Sequence, residues 1–120
     1  MRGIRGAVTV DENSKEKIWT AARQLVTKIL STNELRADNI GAIIFSTTED
    51  LTAAFPSSAI RQQPALRLVP LFDAREPAID NALPMCIRVL ILAETNKAQN
   101  QIHHVYLGAA KNLRPDLESN

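Results

Sequence analysis

The segment Cys86-Ile-Arg-Val-Leu-Ile-Leu-Ala93 decides how this chain must fold. Successive side chains of a strand point to opposite faces, so one face carries Cys86, Arg88, Leu90 and Leu92 and the other Ile87, Val89, Ile91 and Ala93. Both are largely apolar, and a strand of that kind needs cover on both sides. Ile40–Phe45 repeats the pattern. Against these two-faced strands the chain sets one long amphipathic segment. Ile18, Ala22, Leu25, Val26, Ile29 and Leu30 recur at helical spacing and predict a helix over residues 14–31. One helix covers one face of a sheet. A second copy of the chain is the simplest cover for the other, so the pattern predicts an obligate oligomer.

Working outward, Arg2–Val10 reads as a strand that is β-branched toward its end. Asn13 with Glu16 three residues later resembles a capping box at the start of the helix. Ile40–Thr47 is a strand, and Glu49–Ala54 is expected to form a helical turn stopped by Phe55-Pro56. Ser57–Gln63 is a short helix ended by Pro64, and Leu66–Leu71 is a strand candidate. Asp73–Pro84 reads as a Pro-punctuated loop, Cys86–Thr95 as the strongest strand and His103–Ala109 as the last. These elements, one long helix and short helices among several strands, read as a single domain over residues 1–120.

Composition narrows the function classes. Hydrophobic residues make up 45% of the 120 and charged residues 22%, a globular balance that can bury a core without disulfides or a structural metal. Fourteen basic residues against thirteen acidic ones leave a net +1, and five residues are aromatic. A nucleic-acid surface usually needs a basic excess and stacking rings, so no nucleic-acid partner is expected. No apolar run approaches membrane-spanning length and no secretory signal opens the chain, so no membrane partner is expected either. The single cysteine, Cys86, fits a reducing cytoplasm.

Arginine is the anomaly. Nine of the fourteen basic residues are Arg, and eight of the nine lie outside the helical segment. Arg88 sits in mid-strand among aliphatic neighbours, where a charge is almost never left unpaired. Two readings stand open: a buried ion pair with one of the chain's carboxylates, or an anion-binding group in an interface cleft. Arg2 and Arg5 differ in parity and should face opposite ways, so at most one faces a pocket. Asp73 and Glu76 are three apart after a strand, a common place for site residues, although solvated loop acids read the same way. His103 and His104 point to opposite faces of a strand and cannot chelate one ion together, and Cys86 reads as an inert core thiol. No metal, cofactor or nucleophile motif emerges. An Arg-rich set with a Tyr and a carboxylate suits a small polyanion, since guanidinium pairs carboxylates bidentately.

Taken together, Arg2-Gly-Ile-Arg-Gly-Ala-Val-Thr-Val10, Asp50-Leu-Thr-Ala-Ala-Phe-Pro56, Cys86-Ile-Arg-Val89, His104-Val-Tyr-Leu107 and Leu113-Arg-Pro-Asp-Leu117 closely resemble the small monofunctional bacterial chorismate mutases of the trimeric pseudo-α/β-barrel type. The resemblance covers residues 2–118, in order and at compatible spacing. It implies an α+β fold, a mixed β-sheet with one long helix and short helices packed on it, assembled as a homotrimeric pseudo-α/β barrel with active sites in the clefts between subunits. It implies the rearrangement of chorismate to prephenate in aromatic amino-acid (Phe/Tyr) biosynthesis, a pericyclic Claisen step requiring no nucleophile, metal or cofactor.

Site roles follow from the same resemblance. Arg5 matches the arginine that binds a substrate carboxylate. Arg88 matches the one beside the breaking ether bond, where a fixed cation stabilises the transition state more than the ground state. Tyr106 matches a carboxylate-contacting tyrosine and Glu76 the acid that accepts from the ring hydroxyl. The run Phe72, Asp73, Ala74, Arg75 and Glu76 matches the pocket wall. Phe55 and Arg61 match residues supplied by the neighbouring subunit, and Leu113 and Arg114 match the tail that closes the mouth. Asp73 stands where many members carry cysteine or another small polar residue, and beside Glu76 it is expected to share a proton or hydrogen bond with that acid or with the substrate hydroxyl. Ser58 and His103 replace a lysine and an arginine found in relatives. The rival from another class is a trimeric carboxylate-binding protein or imine deaminase of similar architecture; the joint occurrence of Arg5, Glu76, Arg88 and Tyr106 favours the mutase.

Overall fold

In a computed structural model, which describes residues 1–112, five strands and two helices form one sheet-and-helix unit. Strand β1 spans Arg2–Thr9, helix α1 Lys15–Thr32, β2 Ile40–Thr47, helix α2 Pro56–Arg61, β3 Leu71–Arg75, β4 Cys86–Ala93 and β5 Val105–Leu107. The sheet order is β3-β2-β4-β1-β5. The two-faced strand β4 is central and antiparallel to both β1 and β2, while the short β3 and β5 add parallel to β2 and β1 at the two edges. Placing the most apolar strand at the centre gives it neighbours on both sides as well as cover.

Helix α1 lies on one face. Its Ile18, Ala22, Leu25, Val26 and Ile29 are buried and pack with Ile4 and Val8 of β1, Ile43 and Phe45 of β2 and Ile87, Val89 and Ile91 of β4. Close approach is set at Gly6, where a Cβ would come within 2.8 Å of Ile29 Cδ1 and 3.0 Å of the Val105 carbonyl oxygen. A side chain there would force the Ile29 side chain to shift and would crowd the Val105 carbonyl of β5.

The opposite face has only partial cover. At one end Ala7, Cys86, Tyr106 and Ala110 form a small buried cluster with Leu83 against it. Beyond it, Ile44, Leu90 and Leu92 remain half-buried and Phe72 is 65% exposed. The second apolar parity of β2 and β4 thus lacks a packing layer among the described residues. No helix of the described residues is long and apolar enough to cross a membrane.

Several local expectations shift. The N-cap of α1 is Ser14, whose hydroxyl accepts from the Lys17 N–H at 3.2 Å, and not Asn13. Residues 66–71 are not a strand: a 3-10 turn spans Pro64–Leu66, and pairing begins only at Leu71, after Pro70. The two prolines lack the N–H groups a ladder needs. The expected loop from Asp73 begins at Glu76 instead, because β3 runs on to Arg75. Glu49–Ala54 makes a turn without a helix, and the last strand stops at Leu107, where Gly108 takes φ 63° and starts a 3-10 segment.

Candidate active site

Register on the uncovered face assembles the site. Moving one strand at a time across the sheet, Ala74, Ser46, Arg88, Ala7 and Tyr106 are successive paired residues. Beside them runs a second row, Phe72, Ile44, Leu90 and Arg5. Paired residues share a face, so Arg5, Arg88 and Tyr106 all stand on the side away from α1. The parity argument for Arg2 and Arg5 holds as well. Arg2 turns the other way and donates through Nε to the Lys97 carbonyl at 3.0 Å, which leaves Arg5 on the candidate face.

The ion-pair reading of Arg88 is met here. Its Nε lies 3.1 and 3.3 Å from the two Glu76 carboxylate oxygens, so the ion pair exists. The Arg88 side chain nevertheless remains 38% exposed and Glu76 14% exposed. Because the pairing uses Nε, the terminal Nη groups lie outside it and keep their donors for a further anion. Glu76 is delivered by the β3 edge: its N–H continues the ladder to the Thr47 carbonyl at 3.0 Å. The entry to β4 is stapled in turn. Thr48 Oγ1 donates to the Asp50 carboxylate and accepts from the Cys86 N–H at 3.0 Å, while Asp50 accepts from the Met85 N–H. These bonds fix the register that places Arg88 two residues into the strand.

Cys86 lies on this face but is fully buried, and burial pushes its thiol up to about 11, against a smaller opposite pull from the Arg88 charge. It is an inert core thiol, as its apolar strand implied. His104 accepts the Arg5 backbone N–H at Nδ1, 2.9 Å away, tying β1 to the residue before β5.

Asp73 does not join Glu76. It pairs with Phe45 and so faces the side of α2, where its carboxylate accepts from the Ser57 N–H at 3.2 Å and from the Ser57 hydroxyl. The expected link between the two acids is therefore replaced by a bond to the first turn of α2. Ser57 had no flag in the sequence; its only signal was a hydroxyl just after Pro56 at a helix start. Asp73, Ala74, Arg75 and Phe55 border a second cleft of about 430 Å³, along the outer edge of β3. Phe55 is 67% exposed, and Arg61 sits exposed at the end of α2. The predicted site residues thus fall into two groups that meet at β3. Arg5, Phe72, Glu76, Arg88 and Tyr106 are on the uncovered face; Phe55, Asp73 and Arg75 are at the edge. Leu113 and Arg114 lie outside the described residues.

The family model for chorismate mutase type I matches residues 1–117. The chain is 48% identical to the chorismate mutase AroH of Thermus thermophilus over 120 residues, covering 99% of this chain and 98% of that one. It is 38% identical to the chorismate mutase AroH of Bacillus subtilis over 117 residues, covering 98% and 92%. Among solved structures, a chorismate mutase from Clostridium thermocellum superposes with a TM-score of 0.89 at 37% identity, covering 92% of this chain and 98% of that one. A five-stranded mixed sheet with one long helix, the family match over residues 1–117 and 38–48% identity over nearly the whole chain lead to one conclusion: the chain belongs to the type I chorismate mutase family.

Proposed function

We propose that the protein rearranges chorismate to prephenate, the step that serves phenylalanine and tyrosine synthesis, and that Arg88 is its principal catalytic group. The observation that carries this reading is the Arg88–Glu76 pair: a guanidinium oriented through Nε with its other donors unused by that pair. The breaking ether oxygen gains negative charge in the transition state. A cation already oriented toward it stabilises that charge without reorganising, and more strongly than it stabilises the ground state. Arg5 and Tyr106 bind substrate carboxylates, and Glu76 accepts from the ring hydroxyl. Holding the compact diaxial-like conformer adds an orientation effect.

The working unit in this reading is a homotrimer, each copy being one domain over residues 1–120. Supporting it is the half-exposed apolar row Phe72, Ile44, Leu90 on the uncovered face, which a second copy would bury. The two residue groups on either side of β3 fit complementary halves of a cleft, with Phe55 and Arg61 donated by a neighbour. Asp73, Ala74 and Arg75 serve as wall, and Leu113 and Arg114 as closing tail. A free, buried Cys86 suits a reducing cytoplasm.

The test is direct. Purified protein should accelerate the loss of chorismate's ultraviolet absorbance, and replacement of Arg88 by citrulline, which keeps the shape and removes the charge, should abolish most of the acceleration. No acceleration by the native chain, or an undiminished rate with citrulline, overturns the reading.

A further inference from the structure

Asn13 is not the helix cap, and its side chain is engaged elsewhere. Its Oδ1 accepts from the backbone N–H groups of Thr52 and Ala53 at 3.0 and 3.1 Å, and its Nδ2 donates to Thr52 Oγ1 at 2.9 Å. Six residues on, the Trp19 indole Nε1 donates to the Phe55 carbonyl at 3.1 Å, with the Lys15 ammonium 4.8 Å from its ring centroid. Residues 51–55 carry no helix or strand of their own. The beginning of α1 therefore grips this loop at both ends, across about 40 positions of sequence.

The residue so held is Phe55, whose side chain is 67% exposed and adds little to the core of its own chain. An aromatic ring offered outward on a backbone fastened at its carbonyl is arranged for something beyond the fold of one copy. We propose that Asn13 and Trp19 are positioning residues that set the loop Thr52–Phe55, so that the Phe55 ring stands at a fixed place as an apolar wall of the chorismate cleft. This rests on the chorismate mutase reading above and adds the device that holds the wall. An apolar wall contacts substrate and transition state alike. Loosening it weakens both equally and appears in KM, with kcat unchanged.

The experiment compares N13A, N13D, W19F, F55A and the N13A/F55A pair in the full chain, with chorismate as substrate. N13A should raise KM roughly five- to tenfold, the equivalent of one or two net hydrogen bonds, with kcat within about twofold of native. N13D should restore the native KM, since a carboxylate oxygen still accepts both N–H groups and the Thr52 hydroxyl can donate to it. W19F, which removes a single bond, should show the smaller KM rise. In the F55A background N13A should add nothing, because residues that act through one group are not additive. A KM unchanged in both N13A and W19F, a loss confined to kcat, or full additivity with F55A overturns the proposal. Trp19 is the chain's single tryptophan, so acrylamide quenching of its fluorescence reads the grip without any substrate. Quenching should increase in N13A and return to the native level in N13D. If native protein leaves chorismate untouched, the activity reading fails by itself. The grip is then judged by quenching, and equal quenching in native, N13A and N13D refutes it.

Discussion

Arg88 Nε lies 3.1 Å from Glu76 Oε1, joining the middle of β4 to the first residue beyond β3. The bond spans β2, which lies between those two strands. An arginine held this way is a structural tie across the sheet and, in the proposed function, a pre-aimed cation, and the two roles can be separated by mutation.

Arg88→Ala should lower kcat by about 10²–10³, the loss expected for one pre-organised donor to a developing oxyanion, roughly 2.7–4 kcal/mol in barrier. Glu76→Gln should lower it less, and the double variant should fall well short of the product of the single effects because the two groups touch. Steady-state kinetics on the four proteins checks this; multiplicative losses would show that the pair does not act as a unit.

Leu90 stands at the centre of the uncovered face, paired with both Ile44 and Arg5 and only half-buried. Leu90→Asp should abolish assembly, since an unpaired carboxylate in an apolar interface costs several kcal/mol. Sedimentation equilibrium should give three chains for the native protein and one for the variant, with activity lost alongside.

Asn33 is the tie between α1 and β5. It is buried, its Nδ2 donates to the Ile29 and His103 carbonyls at 2.9 and 2.8 Å, and its Oδ1 accepts from the His103 N–H at 2.8 Å. Asn33→Ala strands both backbone groups of His103, so it should cost roughly 2–4 kcal/mol of stability in urea unfolding. Asn33→Leu should be no better, because shape without donors leaves the same groups unpaired.

The Cys86 thiol, pushed up to about 11 by burial from an ordinary 9.0, makes stability depend on alkali. The raised value means the folded state favours the neutral thiol. Its contribution is intact below pH 9, falls as pH rises from 9 to 11, and amounts to roughly 2–3 kcal/mol when fully lost. Cys86→Ser, whose hydroxyl does not ionise there, should flatten that part of the stability curve. At neutral pH the native thiol should resist iodoacetamide, whereas the urea-unfolded chain reacts readily.

Much was legible in the residues alone. The 3.6-residue repeat from Ile18 to Leu30 located α1, and the alternation through Cys86–Ala93 identified a strand with two apolar faces and an arginine among its aliphatic residues. These are local signals, because periodicity and parity depend only on neighbours along the chain. Local turn chemistry was less decisive. Asn13 looked like a cap and Leu66–Leu71 like a strand, yet Ser14 took the cap and Pro64 and Pro70 excluded the ladder.

What only the tertiary structure decided is who meets whom. The two acids three residues apart diverge because Asp73, still within β3, obeys the strand's parity and turns to Ser57. Glu76, just past the strand's end, turns back to Arg88. The sequence by itself determined α1, the strands β1, β2 and β4, and the need for cover on a second apolar face. The sheet order, with β3 at the edge beside β2 and β5 at the edge beside β1, decided the partners. Those partners lie 12 to 70 positions apart for Arg88–Glu76, Asp73–Ser57, Asn13–Thr52 and Asn33–His103. No local rule reaches that far: parity says which way a side chain faces, and only the packed sheet says what is there.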